Sequence, residues 1–412
     1  MKTIVIVTTL DTKGTETNYV KGLFERRGFR VIVIDGSGHG APNFPAEYSA
    51  EEVARRAGTN LSEVKAIKGA GEPVRIMGEG ARKIVNDLYR NGELDGIFGL
   101  GGGGNAALAT TAMRDLPFGI PKLLVSTKIN DPGSVELYAA AKDIILMPSI
   151  ADIAGLNKVT KQTLAHAASA LCGMLEAPEV DHTGKPIVVL SMTGLTTGLG
   201  LTVKNLLEEN GFEVVVFHAI GIGGKYLEDF VSTDPAVLGV IEGCLWEIGN
   251  ELFGGISTSG PSRLVEAGKR GLPQVLIPGS CACIAFRGLN NVPEKYKDRH
   301  LHEHNPKATP MLLYPEETKV VGKVIAEKMN RATGPIEVLI PRGGLCSLTG
   351  REGTAFYRAE RDLGSEKVLI EALMKNLRED IPVREFSFHI NDPEFAKAVA
   401  ESFLRITGAK RK

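Results

Sequence analysis

Residues 4–34 read IVIVTTLDTKGTETNYVKGLFERRGFRVIVI, and residues 187–217 read IVVLSMTGLTTGLGLTVKNLLEENGFEVVVF. The two stretches align without a gap at an offset of 183, and ten of the 31 positions are identical. The identities include Val20/Val203, Leu23/Leu206, Glu25/Glu208, Gly28/Gly211, Phe29/Phe212 and Val31/Val214. Each copy reads strand, polar loop, helix, Gly-Phe turn, strand. The glycine suits a left-handed helix cap, and the Phe packs under the next strand. A later echo, Ile120–Val125 against Leu272–Ile277, extends the duplication.

Outward from these copies, short β-branched runs alternate with amphipathic helical segments. The runs are Thr3–Thr9, Arg30–Ile34, Leu94–Leu100, Lys122–Val125 and Ile144–Met147. Alternating β and α units predict a parallel sheet covered on both faces. Strands buried on both sides should be apolar throughout, and these are. The fold class expected is α/β, two Rossmann-like doubly wound parallel-sheet lobes with a cleft between them. The lobes should span residues 1–180 and 181–412, joined near Ala177–Lys185. The C-terminal part should add a helix over Glu316–Arg331, a strand over Ile336–Ile340 and a long loop over Pro341–Tyr357. A helix over Glu366–Asn376, a strand near Val383–Phe388 and a last helix from Pro393, capped by Asp392, should follow.

The chain has 412 residues, 43% of them apolar, enough for two domains with buried cores. Its 48 basic and 49 acidic residues balance to a net charge of −1, which argues against a nucleic-acid partner. No segment approaches a membrane span, and the start lacks the apolar run of a signal peptide, so a cytoplasmic protein is expected. Five cysteines without a CxxC pair read as reduced structural thiols. Glycine is in excess, at 48 residues, in clusters beside the apolar runs.

Ligands of doubly wound sheets bind beyond the carboxyl ends of the strands, so the loops there carry the candidates. Gly99-Leu100-Gly101-Gly102-Gly103-Gly104-Asn105 follows a strand and opens a helix. It satisfies G-x-G-x-x-G, whose glycines admit a phosphate close to the backbone at a helix N-terminus. The alternative is a tight turn under a closely packed helix. No carboxylate ends the next strand, Val125-Ser126-Thr127-Lys128, so the nicotinamide reading is weakened. In Thr9-Leu10-Asp11-Thr12-Lys13-Gly14, Lys13 suits a phosphate and Asp11 suits Mg²⁺ or a hydroxyl. Helix capping by Asp11 or Thr12 is the competing reading. Ser126, Thr127, Ser149, Asp152 and Asn157 complete this rim.

The second lobe repeats the pattern with different groups. Thr196 and Thr197 follow its first strand, Gly223 and Gly224 its second. Ser259, Gly260 and Arg263 look like a second anion cradle at a helix start. These would bind a substrate, with His218, His304 and Arg342 as candidate catalytic groups. His300-Leu301-His302-Glu303-His304 reads either as a charged loop or, if extended, as metal ligands.

Several motifs resemble one family: Thr9–Gly14, Gly101–Asn105, Asp152–Asn157, Ser191–Thr197, Phe217–Gly224, Ser259-Gly260-Pro261, His304-Asn305-Pro306 and His389–Pro393. It is the uncharacterised bacterial, archaeal and fungal family whose plant relative is the ATP-binding N-terminal domain of the tomato mosaic virus resistance protein. The resemblance implies two Rossmann-like subdomains, ATP as ligand and self-association in homo-oligomers. The expectation is therefore a protein that binds ATP or a related phosphorylated ligand, with or without Mg²⁺. A small-molecule hydrolase or transferase working in the cleft, and a non-catalytic nucleotide-responsive module, are the alternatives.

Overall fold

The computed structural model describes residues 1–178 and 184–408. Two compact units divide the chain, Met1–Val180 and Asp181–Lys412. The expected boundary between residues 180 and 181 lies outside the described residues.

The first unit holds five parallel strands: β1 (Thr3–Thr8), β2 (Arg30–Asp35), β3 (Gly96–Gly101), β4 (Lys122–Ser126) and β5 (Ile144–Pro148). Their order is β2-β1-β3-β4-β5. Alternation along β1 explains the two covered faces. Ile4 and Ile6 pack with the helices Leu10–Arg26 and Lys158–Glu176. Val5 and Val7 pack with the helices Gly71–Arg90 and Gly103–Met113. All four are fully buried, each worth about 1.5–3 kcal/mol of apolar transfer.

The second unit holds β6 (Ile187–Met192), β7 (Glu213–His218), β8 (Val237–Glu242), β9 (Gln274–Leu276), β10 (Cys283–Phe286), β11 (Thr309–Leu312), β12 (Ile336–Pro341) and β13 (Val383–Phe386). Six of these form a parallel sheet in the order β13-β12-β9-β8-β6-β7. Read from β7, this repeats the first sheet, with β9 in the place of β4. The echo between Ile120–Val125 and Leu272–Ile277 therefore marks equivalent strands. The antiparallel pair β10–β11 is an insertion between β9 and β12 that the sequence pattern did not reveal.

The Gly-Phe turns behave alike. Gly28 and Gly211 have φ of +83° and +91°. In each, the glycine N–H donates to Glu25 or Glu208, and the Phe N–H donates to Phe24 or Leu207. This is the Schellman pairing, which satisfies the last helical carbonyls. Phe29 and Phe212 are buried behind it.

One local expectation is corrected. Asp392 occupies the cap position of the helix Pro393–Thr407 but does not cap it with its side chain. Its carboxylate turns back to accept the His389 N–H at 2.7 Å and pairs with Arg351. Among the described residues, no helix is long and apolar enough to cross a membrane.

Candidate functional site

In the first sheet the strand order reverses at β1, so the carboxyl ends of β1 and β3 flank the crevice where such folds take ligands. Asp35, at the end of β2, fixes one wall. Its buried Oδ1 accepts the N–H groups of Leu10 and Ser37, both at 3.0 Å. Ser37 Oγ accepts the Asp11 N–H at 3.1 Å, and Asp11 Oδ2 accepts the Gly40 N–H at 2.9 Å. Thr12 Oγ1 lies 2.7 Å from Thr9 Oγ1. Lys13 Nζ donates to the Ile153 carbonyl at 2.5 Å, tying this loop to the one after β5. A Cβ on Gly14 would stand 2.6 Å from Asn43 Cβ, so that glycine is required by packing. Capping by Asp11 or Thr12 is not what these residues do: Thr9 holds the cap position of the helix Leu10–Arg26, without a side-chain cap bond.

The glycine loop separates into two kinds of position. A Cβ on Gly99 would lie 2.5 Å from Ala109 Cβ, and one on Gly101 would lie 2.3 Å from Asn105 Nδ2, at a φ of +139°. Those two glycines serve the tight strand-to-helix turn. Gly102, Gly103 and Gly104 are different. The nearest atoms to their Cβ positions are Thr127 Oγ1 at 4.0 Å, Lys128 Cγ at 3.5 Å and Val74 Cγ2 at 3.4 Å. Packing does not require glycine there. Gly102 caps the helix Gly103–Met113 with no side-chain cap bond. The backbone is thus bare at a helix N-terminus, where amide N–H groups and the helix dipole favour an anion.

Two hollows flank this bare backbone. Val74, 3.4 Å from the Cβ position of Gly104, lines one of about 160 Å³ together with Thr9, Asp11, Thr12 and His39. Thr127 and Lys128, beside Gly102 and Gly103, line the other, of about 340 Å³, with Ser126, Asn130, Ser149 and Asp152. Ile150 also lines it, 79% exposed and with a φ of +66°. The Ala151 N–H closes a three-residue turn on the Ser149 carbonyl at 2.7 Å. A β-branched residue in the left-handed region is strained, and such strain clusters at ligand sites. Sequence gave no signal for it. Ser126 itself is buried, its Oγ accepting the Lys128 N–H at 3.2 Å. Asn157 caps the helix Lys158–Glu176, its Oδ1 accepting from Val159 and Thr160. Lys128 runs beside Gly103, its Cγ 3.5 Å from that glycine's Cβ position, and its exposed ammonium lies 3.2 Å from Asp131.

In the second unit most of the singled-out residues hold the fold. Arg263 is fully buried, bonded to Glu242, Glu247 and Glu228. The segment Ser257–Arg263 is no cradle at a helix start; turns run on to a four-residue helix at Glu266–Lys269, and Ser259 is buried. Gly260 has a φ of +76°, a conformational need. A Cβ on Gly223 would lie 1.8 Å from the His218 carbonyl oxygen, and one on Gly224 2.3 Å from Glu247 Oε2. Thr196 Oγ1 accepts the Thr193 N–H at 3.2 Å, and Thr197 Oγ1 donates to the Thr193 carbonyl at 3.2 Å. His218 is exposed at the end of β7, and His304 is exposed in a turn closed by Ala308. Arg342 Nε donates to Glu385 at 2.5 Å. Among the described residues, no group of three or more His, Cys, Asp or Glu side chains could hold a metal ion. All five cysteines are buried and free, and burial pushes the Cys244 thiol up to about 11.

The N-terminal domain of the Uncharacterised protein family (UPF0261) matches residues 2–180, and its C-terminal domain matches residues 185–407. The chain belongs to the UPF0261 family. A UPF0261 protein of Clostridium tetani is 37% identical, over 98% of this chain and 99% of its own. A UPF0261 protein of Rhizobium meliloti is 34% identical, over the same shares. The ToMV resistance protein Tm-1(GCR237) of Solanum lycopersicum is 34% identical over 83% of this chain and 45% of its own length. Among solved structures, MurG of Acinetobacter baumannii aligns over 98% of this UPF0261 chain and 100% of its own. At 11% identity and a TM-score of 0.25, that likeness supports no further reading.

Proposed function

We propose that this protein binds a phosphorylated nucleotide, ATP in the first instance, in its N-terminal unit. The observation that carries the reading is the bare backbone of Gly102–Gly104, free of any packing need for glycine, at a helix N-terminus between two hollows. Phosphate oxygens would accept from the N–H groups of Gly103, Gly104 and Asn105, and the flanking hollows offer room for the rest of the nucleotide. Thr127 would add a hydroxyl donor and Lys128 a charge beside the phosphates. Asp11, which lines one of the hollows, would be the carboxylate to hold a Mg²⁺ ion carried by the nucleotide. Lys13 already bonds Ile153, so it acts here by holding two rim loops together. The family resemblance, which implies ATP, supports the choice of nucleotide.

Thermal unfolding of the full chain with ATP, and with adenosine as a phosphate-free control, tests the reading. A ligand at 100 times its Kd stabilises by about 2.7 kcal/mol, which raises Tm by several degrees. ATP should give that shift and adenosine should not. Equal effects of the two would remove the phosphates from the account.

A further inference from the structure

The chain leaves β12 at Pro341 through Arg342-Gly343-Gly344. Beyond that strand end, the helices Tyr357–Leu363 and Ser365–Asn376 meet at Gly364, whose φ of +69° breaks the chain between them. Glu360 falls midway along the first helix and Glu366 in the first turn of the second. With Arg342, Tyr357, Arg361 and Lys367 they line a hollow of about 400 Å³. It has the size of a small-molecule site, at the carboxyl end of a parallel strand where doubly wound sheets take ligands.

The two carboxylates differ. Glu366 serves the fold, accepting Thr349 Oγ1 at 2.5 Å and the Leu345 N–H at 3.2 Å. Glu360 Oε1 accepts the Glu366 N–H at 2.7 Å, but Glu360 Oε2 is buried without a hydrogen-bond partner. A buried polar oxygen left over in this way asks for a proton or a ligand atom. Burial, and after it the neighbouring Glu366 carboxylate, together push Glu360 up to about 8. Burial also lifts Glu366 to about 7. Near neutral pH Glu360 is therefore largely an uncharged acid with one O–H to donate.

The rim is cationic. Arg361 and Lys367 are exposed, and their acidic neighbours, Asp362 at 3.1 Å and Glu371 at 3.9 Å, are surface partners of little energetic weight. Arg342 stands with them, held by Glu385.

We infer that this hollow is a second ligand site, for a small carboxylate or phosphate anion that also carries a hydroxyl or carbonyl oxygen. Arg361 and Lys367 take the charge, and Glu360 donates to the additional oxygen. No residue is shared with the nucleotide site, so the two readings fail separately.

The test is calorimetric titration of the full chain with lactate, pyruvate, glycerol 3-phosphate and inorganic phosphate. At least one organic anion should bind, and more tightly than inorganic phosphate, which lacks the second oxygen function. Replacing both Arg361→Ala and Lys367→Ala, on exposed positions, should weaken that binding about tenfold or more. Glu360→Ala should also weaken it, while Glu360→Gln, uncharged and still a donor, should retain most of it. Gly102→Val should leave it unchanged. Absence of binding by all four anions overturns the inference. So does binding that survives the double substitution, or binding lost in Gly102→Val.

Discussion

Arg263 and Glu242 form a bidentate ion pair with both side chains buried: Nη1 lies 2.6 Å from Oε1 and Nη2 2.5 Å from Oε2. Glu242 ends β8, the equivalent of β3 in the duplicated topology, so the pair stands where the first unit has its bare glycine loop. The two copies have diverged at their switch points, one toward open backbone and the other toward a closed polar network. Ser191 Oγ donates to Glu242 at 2.6 Å, Arg263 Nε to Glu247 at 2.7 Å, and the N–H groups of Leu264, Val265 and Glu266 to Glu228.

Arg263→Ala should destabilise the protein by about 3–5 kcal/mol, because it strands three buried carboxylates without their cation. Arg263→Lys should fail almost as badly, since an ammonium cannot reproduce the planar fork on Glu242 while reaching Glu247. Urea unfolding monitored by circular dichroism measures both. A loss below about 1 kcal/mol in Arg263→Ala would refute a structural role.

Burial raises Glu360 to about 8 and Glu366 to about 7, above an ordinary carboxylate value of 4.5. The folded state holds protons that the unfolded chain releases. Their stabilising effect is therefore present below about pH 4.5 and is lost as pH rises toward about 8. Glu360→Gln should flatten that decline and raise Tm most at pH 8–9, by several degrees on the order expected for ~1–2 kcal/mol. Scanning calorimetry from pH 5 to pH 9 measures this, and identical pH slopes for both proteins would contradict it.

The glycine loop should split under mutation. Gly101→Ala meets Asn105 and a φ of +139°, so a loss of about 1–3 kcal/mol is expected. Gly103→Ala meets no atom closer than 3.5 Å and sits in a helical first turn, so it should be neutral or slightly stabilising. Equal losses at both positions, measured by chemical denaturation, would show that packing sets the whole loop.

Much of this was legible in the sequence, and the reasons are local. The paired Gly-Phe turns could be read because Gly28 and Gly211 each need a left-handed φ, and because apolar alternation fixed the flanking strands. The glycine loop could be read because strand, turn and helix are contiguous. What escaped depends on tertiary contact. Arg263 looked like an anion ligand beside serines and glycine, yet its three partners come from elements 16, 21 and 35 residues away. Asn157 and Thr196 looked like ligand donors, but capping and turn bonds engage the same side chains. Glu360 and Glu366 carried no motif; their meeting rests on Gly364 breaking a helix between them.

The proposed phosphate site lies over the backbone at Gly102. Its φ of −80° and ψ of −168° suit a β-branched residue, and the nearest atom to an added Cβ is 4.0 Å away, so Gly102→Val should fold normally. The added side chain would occupy the space proposed for the phosphates. The most direct measurement is isothermal titration of ATP into wild-type protein and Gly102→Val, with Tm confirming that both are folded. A one-site isotherm is expected for wild type, with a loss of at least about tenfold in affinity for the variant. No ATP binding by wild type, or equal binding by the two, would contradict it.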